Sequence, residues 1–154
     1  MTEVPAAYDT AAQRLAEQVA AAMFGRDRAS QALGMRIAHV APGAADLTMT
    51  VRADMVNGHG ICHGGYVFML ADSTFAFACN SYNHNTVAQG CAIEYLAPAH
   101  QGDLLTASGR ERSRAGRTGV YDIEVRNQRG ETIALFRGKS YRIKGSVIDE
   151  TALA

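Results

Sequence analysis

Residues 64–82, GGYVFMLADSTFAFACNSY, describe a helix without a wet side. Val67, Leu70, Ala71, Thr74 and Ala78 form one apolar face at helical spacing, while Phe68, Met69, Phe75 and Cys79 form another. A helix apolar all round is stable only when other elements enclose it. The rest of the chain supplies strands for that purpose. Segments 86–96, 104–112, 119–127 and 132–143 alternate with period two. In the third of these Tyr121, Ile123 and Val125 take one face, and Asp122, Glu124 and Arg126 the other. Upstream, 35–41 and 46–52 flank Pro42-Gly43 as a hairpin, and 9–25 reads as an amphipathic helix started by Asp9 or Thr10 and closed by Gly25. This order predicts an α+β fold in which a long, curved antiparallel sheet wraps a central helix of about 64–82. With 154 residues and no linker, repeat or low-complexity segment, 1–154 reads as one domain with a flexible tail after 145.

One acid, Asp72, sits inside the apolar run. A carboxylate buried without a partner costs several kcal/mol or stays protonated, so Asp72 is either satisfied by nearby donors or kept for chemistry. Gly64-Gly65 opens the same helix. A helix N-terminus presents unpaired N–H groups and partial positive charge, and glycine lets a ligand approach the backbone; such a donor suits a carbonyl oxygen gaining negative charge. Plain turn chemistry is the alternative. Asp72 lies eight residues beyond Gly64, about 12 Å at about 1.5 Å per residue. A base and an oxyanion donor must both come within about 3–3.5 Å of the reacting group. One helix cannot bring both to one carbonyl. If both act, two copies of the helix meet and each site is shared across a dimer.

Composition excludes other classes. Fifteen basic and fifteen acidic residues balance, so nothing draws the chain as a whole to nucleic acid or to a membrane surface. The longest apolar segment is broken by Asp72, which argues against a membrane span. The first residues show no basic start followed by an apolar stretch, and three cysteines without paired spacing suit a reducing compartment, so a cytoplasmic protein is expected.

Other constellations are weaker. His59, Cys62 and His63 invite a metal, but the remaining Cys79, His84, Cys91 and His100 show no zinc-ligand pairing, and no metal is expected. Cys62 as a nucleophile lacks an orienting third residue. His63 alone reads equally as a cap or a core histidine. Basic residues gather late: Arg110, Arg112, Arg114 and Arg117 surround the turn RERSRAGRTG, and Arg137, Lys139, Arg142 and Lys144 stud the last strand. They form either a solvated face or a landing place for a phosphate-rich ligand.

NGHGICHGGYVFMLADSTFAFAC, together with GDLLTASG and GRTGVYDIEVRNQRGETIALFRGKSYRI, resembles the hotdog-fold acyl-CoA thioesterases, and within them the branch of phenylacetic-acid degradation; the likeness covers about 10–145. The resemblance implies the hotdog fold and hydrolysis of aryl-acyl-CoA thioesters, phenylacetyl-CoA or its ring-hydroxylated forms, to free acid and coenzyme A. It implies Asp72 as general base or nucleophile, and the Gly64 N–H as the donor polarising the carbonyl, with Asn57 and His63 supporting that region. It also implies a metal-free and cofactor-free homodimer with shared sites, pairing into a homotetramer, with coenzyme A present only as part of the substrate. Candidate substrate contacts are Gly65, Phe68 and Thr74, and Arg114, Arg117, Arg137 and Lys139 for the phosphates. Some relatives carry a Ser or Thr on the strand after the helix that helps position water. TVAQGCAIEYLAP offers only Thr86, with Ser73 or Thr74 as substitutes.

Two other classes remain open at this point. A hotdog dehydratase or hydratase would need a His–acid pair at the reacting carbons, which His63 could supply. A non-catalytic acyl-CoA-binding protein would bind without turnover.

Overall fold

The computed structural model describes residues 9–153. Helix α1 spans Thr10–Arg26, and the short α2 spans Arg28–Ala32. Strands β1 (Arg36–Ala41) and β2 (Ala44–Thr50) follow, and then α3 (Gly64–Asn80). Four strands complete the fold: β3 (Thr86–Tyr95), β4 (Leu104–Ala115), β5 (Thr118–Arg126) and β6 (Thr132–Arg142). All pairings are antiparallel, in the order β1-β2-β4-β5-β6-β3. This is the wrapped-helix architecture of the hotdog fold.

Alternation makes the wrapping possible. Leu105, Ala107 and Gly109 of β4, Tyr121, Ile123 and Val125 of β5, and Ala134, Phe136 and Gly138 of β6 turn inward onto α3. Val67, Leu70 and Phe75 of the helix join them in the core while Phe77 meets Phe24 of α1, each of the four at most 2% exposed; burying such side chains contributes about 1.5–3 kcal/mol apiece. Gly138 is required for this contact, because a Cβ there would stand 2.8 Å from the Phe75 ring. In the β1–β2 turn, Gly43 adopts φ 72° and donates its N–H to Ser81 Oγ at 2.8 Å, pinning the hairpin to the end of α3.

Two features differ from the sequence reading. The polar segment after α1 contains α2, because Asp27 caps it by accepting from Ser30 N (2.9 Å) and Ser30 Oγ (2.6 Å), while Ser30 Oγ meets Ser73 Oγ of α3 at 2.9 Å. The tail after Gly145, expected to be flexible, is held by Asn83, which donates to Ile148 O (3.0 Å) and accepts from Ile148 N (2.9 Å). Arg26 adds a bond to Val147 O at 3.3 Å.

The two sheet edges are unlike. Strand β1 is backed by α1, where Gln13 Nε2 donates to Val40 O at 2.8 Å. Strand β3 is the opposite edge, has no fully buried residue, and leaves Val87 and Tyr95 about half exposed. Among the described residues no helix is long and apolar enough to cross a membrane.

Candidate active site

The N-terminus of α3 is built by His63. Its Nδ1 accepts from Gly65 N at 2.9 Å, which places the imidazole proton on Nε2 when the ring is neutral. That bond occupies the Gly65 N–H. The N–H of Gly64 meets no acceptor among the described residues, so it is the one left for a ligand. Tyr95 of β3 fixes this glycine from the side, its hydroxyl donating to Gly64 O at 2.9 Å. Asn57 shapes the preceding loop: its Oδ1 accepts from His59 N (2.9 Å) and Ile61 N (3.4 Å). Asn57 and Gly64 border a cavity of about 500 Å³ whose apolar wall includes Val67, Tyr95, Leu96 and Ile133.

Asp72 lies two turns further along α3, half-buried. The donor it meets is the Cys91 thiol of β3, with Sγ 3.9 Å from Oδ1. Burial pushes its pKa above the ordinary carboxylate value, and the thiol offsets only part of that. Strand β3 confirms the separation of the two ends. Cys91 touches Asp72 and Tyr95 touches Gly64; four residues of strand span about 13 Å, and eight of helix about 12 Å. Acid and donor of one chain therefore cannot serve one carbonyl.

The remaining candidates scatter. Thr74, expected at the substrate, is fully buried, donates to Leu70 O at 2.8 Å and faces the sheet beside Gly109. Ser73 is engaged by Ser30, and Thr86 Oγ1 by His84 O. Phe68 is half-buried against Phe136, edge to face at 5.3 Å. The four phosphate candidates occupy two places. Arg137 and Lys139 project from the outer face of β6, where Arg137 is clamped by Asp122 at 2.6 and 2.8 Å. Arg114 stacks 3.6 Å over the Tyr82 ring and pairs with Glu111 at 3.7 Å. Arg117 borders a 340 Å³ groove with Arg142 and Lys144, and no ion pair engages these three among the described residues. A larger concavity of about 620 Å³ lies on the outer sheet face, over Arg112, Asp122 and Arg137, away from both Gly64 and Asp72.

Among the described residues no group of three His, Cys, Asp or Glu is arranged to hold a metal. All three cysteines are free, and burial pushes the Cys79 thiol up to about 12. Cys62 is buried with its pKa raised, which makes it a poor nucleophile. The contacts of Cys91 and Tyr95 were missed from the sequence. Their signal was the inward phase of 91, 93 and 95, set by half-buried Ile93.

A shared fold, a bare helix N-terminus and a half-buried acid define a class. The sequence profile of the Thioesterase superfamily matches residues 59–134, and the chain belongs to that superfamily. The acyl-coenzyme A thioesterase PaaI of Escherichia coli K12 is 50% identical over 133 residues, 86% of this chain and 95% of that protein. The structure of E. coli PaaI, from the phenylacetic acid degradation operon, matches with a TM-score of 0.86 over 87% of this chain and 97% of that one. A mutant of the phenylacetic acid degradation protein PaaI from Thermus thermophilus matches at 38% identity and TM-score 0.72, over 74% and 97%. The smu.793 protein of Streptococcus mutans UA159, solved with acetyl CoA bound, matches at 27% identity and TM-score 0.69, over 73% and 90%.

Proposed function

We propose that the protein is an acyl-CoA thioesterase that hydrolyses aryl-acyl-CoA thioesters of the phenylacetyl type in a homodimer with two shared sites. The observation that carries this reading is the pair on α3: an unpaired Gly64 N–H at the helix start and a half-buried Asp72 with a thiol as its donor. Asp72 from one subunit takes a proton from water as the water oxygen bonds to the thioester carbonyl carbon. The carbonyl oxygen collects the charge against the Gly64 N–H of the other subunit and the positive end of its helix. Collapse breaks the C–S bond, and the departing coenzyme A thiolate recovers the proton.

Several features support the parts. The open edge and exposed apolar groups of β3, Val87 and Tyr95 with Leu96 just beyond it, suit pairing with a second copy, which would bring two α3 helices together; two such dimers would give the homotetramer. The apolar cavity beside Gly64 has room for a phenyl ring. Of the phosphate candidates, Arg117 is best placed, because Arg142 and Lys144 share its groove, whereas Asp122 already neutralises Arg137. The dehydratase reading is less favoured, because His63 spends Nδ1 on the helix cap.

Release of free thiol from a panel of acyl-CoAs tests the reading. Turnover of phenylacetyl-CoA and its ring-hydroxylated forms well above acetyl- and straight-chain substrates is expected. Hydration of enoyl-CoA without thiol release, or binding without turnover, would overturn it.

A further inference from the structure

We infer that the inner face of β3 is a positioning rail for the reaction, on which Cys91 holds the Asp72 carboxylate and Tyr95 holds the Gly64 end of the helix. This rests on the catalytic reading of Asp72 and Gly64 given above. Both contacts come from one strand and in one phase, and their spacing along β3 matches the spacing of their targets along α3. Cys91 engages Oδ1 only, which leaves Oδ2 to meet water. A thiol is a weak donor, so it orients the carboxylate without quenching its basicity as an Arg or Lys would. Tyr95 acts differently. Its ring packs so closely that a Cβ on Gly64 would stand 3.0 Å from Cζ, and its hydroxyl ties down the carbonyl of that residue. The strand therefore fixes where the open N–H points.

The surroundings make the acid's titration readable. The ionisable groups coupled to Asp72 are two thiols, Cys91 from β3 and Cys79 from α3 itself. Helix α2 presents the Ser30 hydroxyl to neighbouring Ser73, with Asp27 behind it. Strand β6 turns Arg137 and Lys139 to the outer face of the sheet.

The experiment compares C91A, C91S, Y95F and D72N as full chains, with phenylacetyl-CoA as probe and kcat, KM and the pH profile as readouts. In C91A, kcat falls about tenfold with KM within about twofold, and the acid limb of kcat/KM moves to higher pH because the charged carboxylate has lost its donor. C91S, whose hydroxyl donates more strongly, restores kcat and returns the limb to the wild-type position or below it. Y95F lowers kcat by about threefold to tenfold and leaves the limb in place, since the lost hydroxyl bonds the backbone carbonyl of Gly64 and donates nothing to the carboxylate. An unmoved limb in C91A, no rescue by C91S, or a moved limb in Y95F would overturn the rail. D72N separates the two levels: loss of turnover there with inert Cys91 variants removes the rail alone, whereas retained turnover removes the catalytic reading beneath it.

Discussion

Two aspartates sit largely out of water in this molecule, and their surroundings send them in opposite directions. Asp103, 4% exposed, accepts from His100 N and Gln128 Nε2 at 2.9 Å each and from Arg129 at 3.2 Å. Those donors, Gln128 first, hold its carboxyl below the ordinary value. Asp72 is less buried but meets a thiol as donor, and desolvation pushes its pKa up. Burial alone therefore does not mark a working acid. What marks it is burial without enough donors, a cost the fold bears at a place where proton affinity is useful.

Breaking each acid should separate the two roles. Asp72→Asn should lower kcat by about 10³-fold, within the range for loss of a general base, while gel filtration shows an unchanged assembly. Asp103→Ala should do the reverse. Removing this buried acceptor from three donors on exposed residues costs about 1–2 kcal/mol in urea unfolding, and turnover per folded molecule should stay near wild type. That deficit should shrink as pH falls through the lowered pKa of folded Asp103, because the wild-type carboxylate loses its advantage once protonated. The smallest effect carries the opposite sign. Since the folded pKa of Asp72 is raised, its charged form weakens the fold at neutral pH, and Asp72→Asn should slightly raise Tm there. The gain should vanish as pH drops below the unfolded carboxylate value of about 4. A lower Tm for Asp72→Asn at neutral pH would mean that the acid is structural after all.

The sheet, its order of elements and the central helix were legible because alternation and all-round apolarity are local patterns that only a wrapped helix reconciles. Gly64 and Asp72 were legible for a similar reason, since helix rise turns their spacing into a distance. Their surroundings were not. Cys91 on an exposed edge strand shows only the phase it shares with Ile93 and Tyr95; that this phase faces α3 depends on β3 pairing with β6 and on the bulge between Ala88 and Gly90. Thr74 reads as a polar group near the acid, yet helical phase turns it toward Gly109 and into the core. The basic residues divide into an outer-face pair and a hairpin-end group through strand register, which one-dimensional clustering hides. Helix α2 joins the local Asp27 cap to a tertiary contact, Ser30 to Ser73, that propensity does not report.

The central claim is that the glycine and the acid of one helix serve different sites, and subunit mixing tests it most directly. Gly64→Pro deletes the donor N–H at a helix position that tolerates proline, and Gly64→Ala, which adds the same crowding against Tyr95 but keeps the N–H, is its control. Asp72→Asn and Gly64→Pro are each expected to be inactive alone. Refolded together in equal amounts, half of the dimers are mixed and each mixed dimer carries one intact site. The shared-site account therefore predicts recovery of about a quarter of wild-type turnover. No recovery from properly assembled mixed dimers would contradict it.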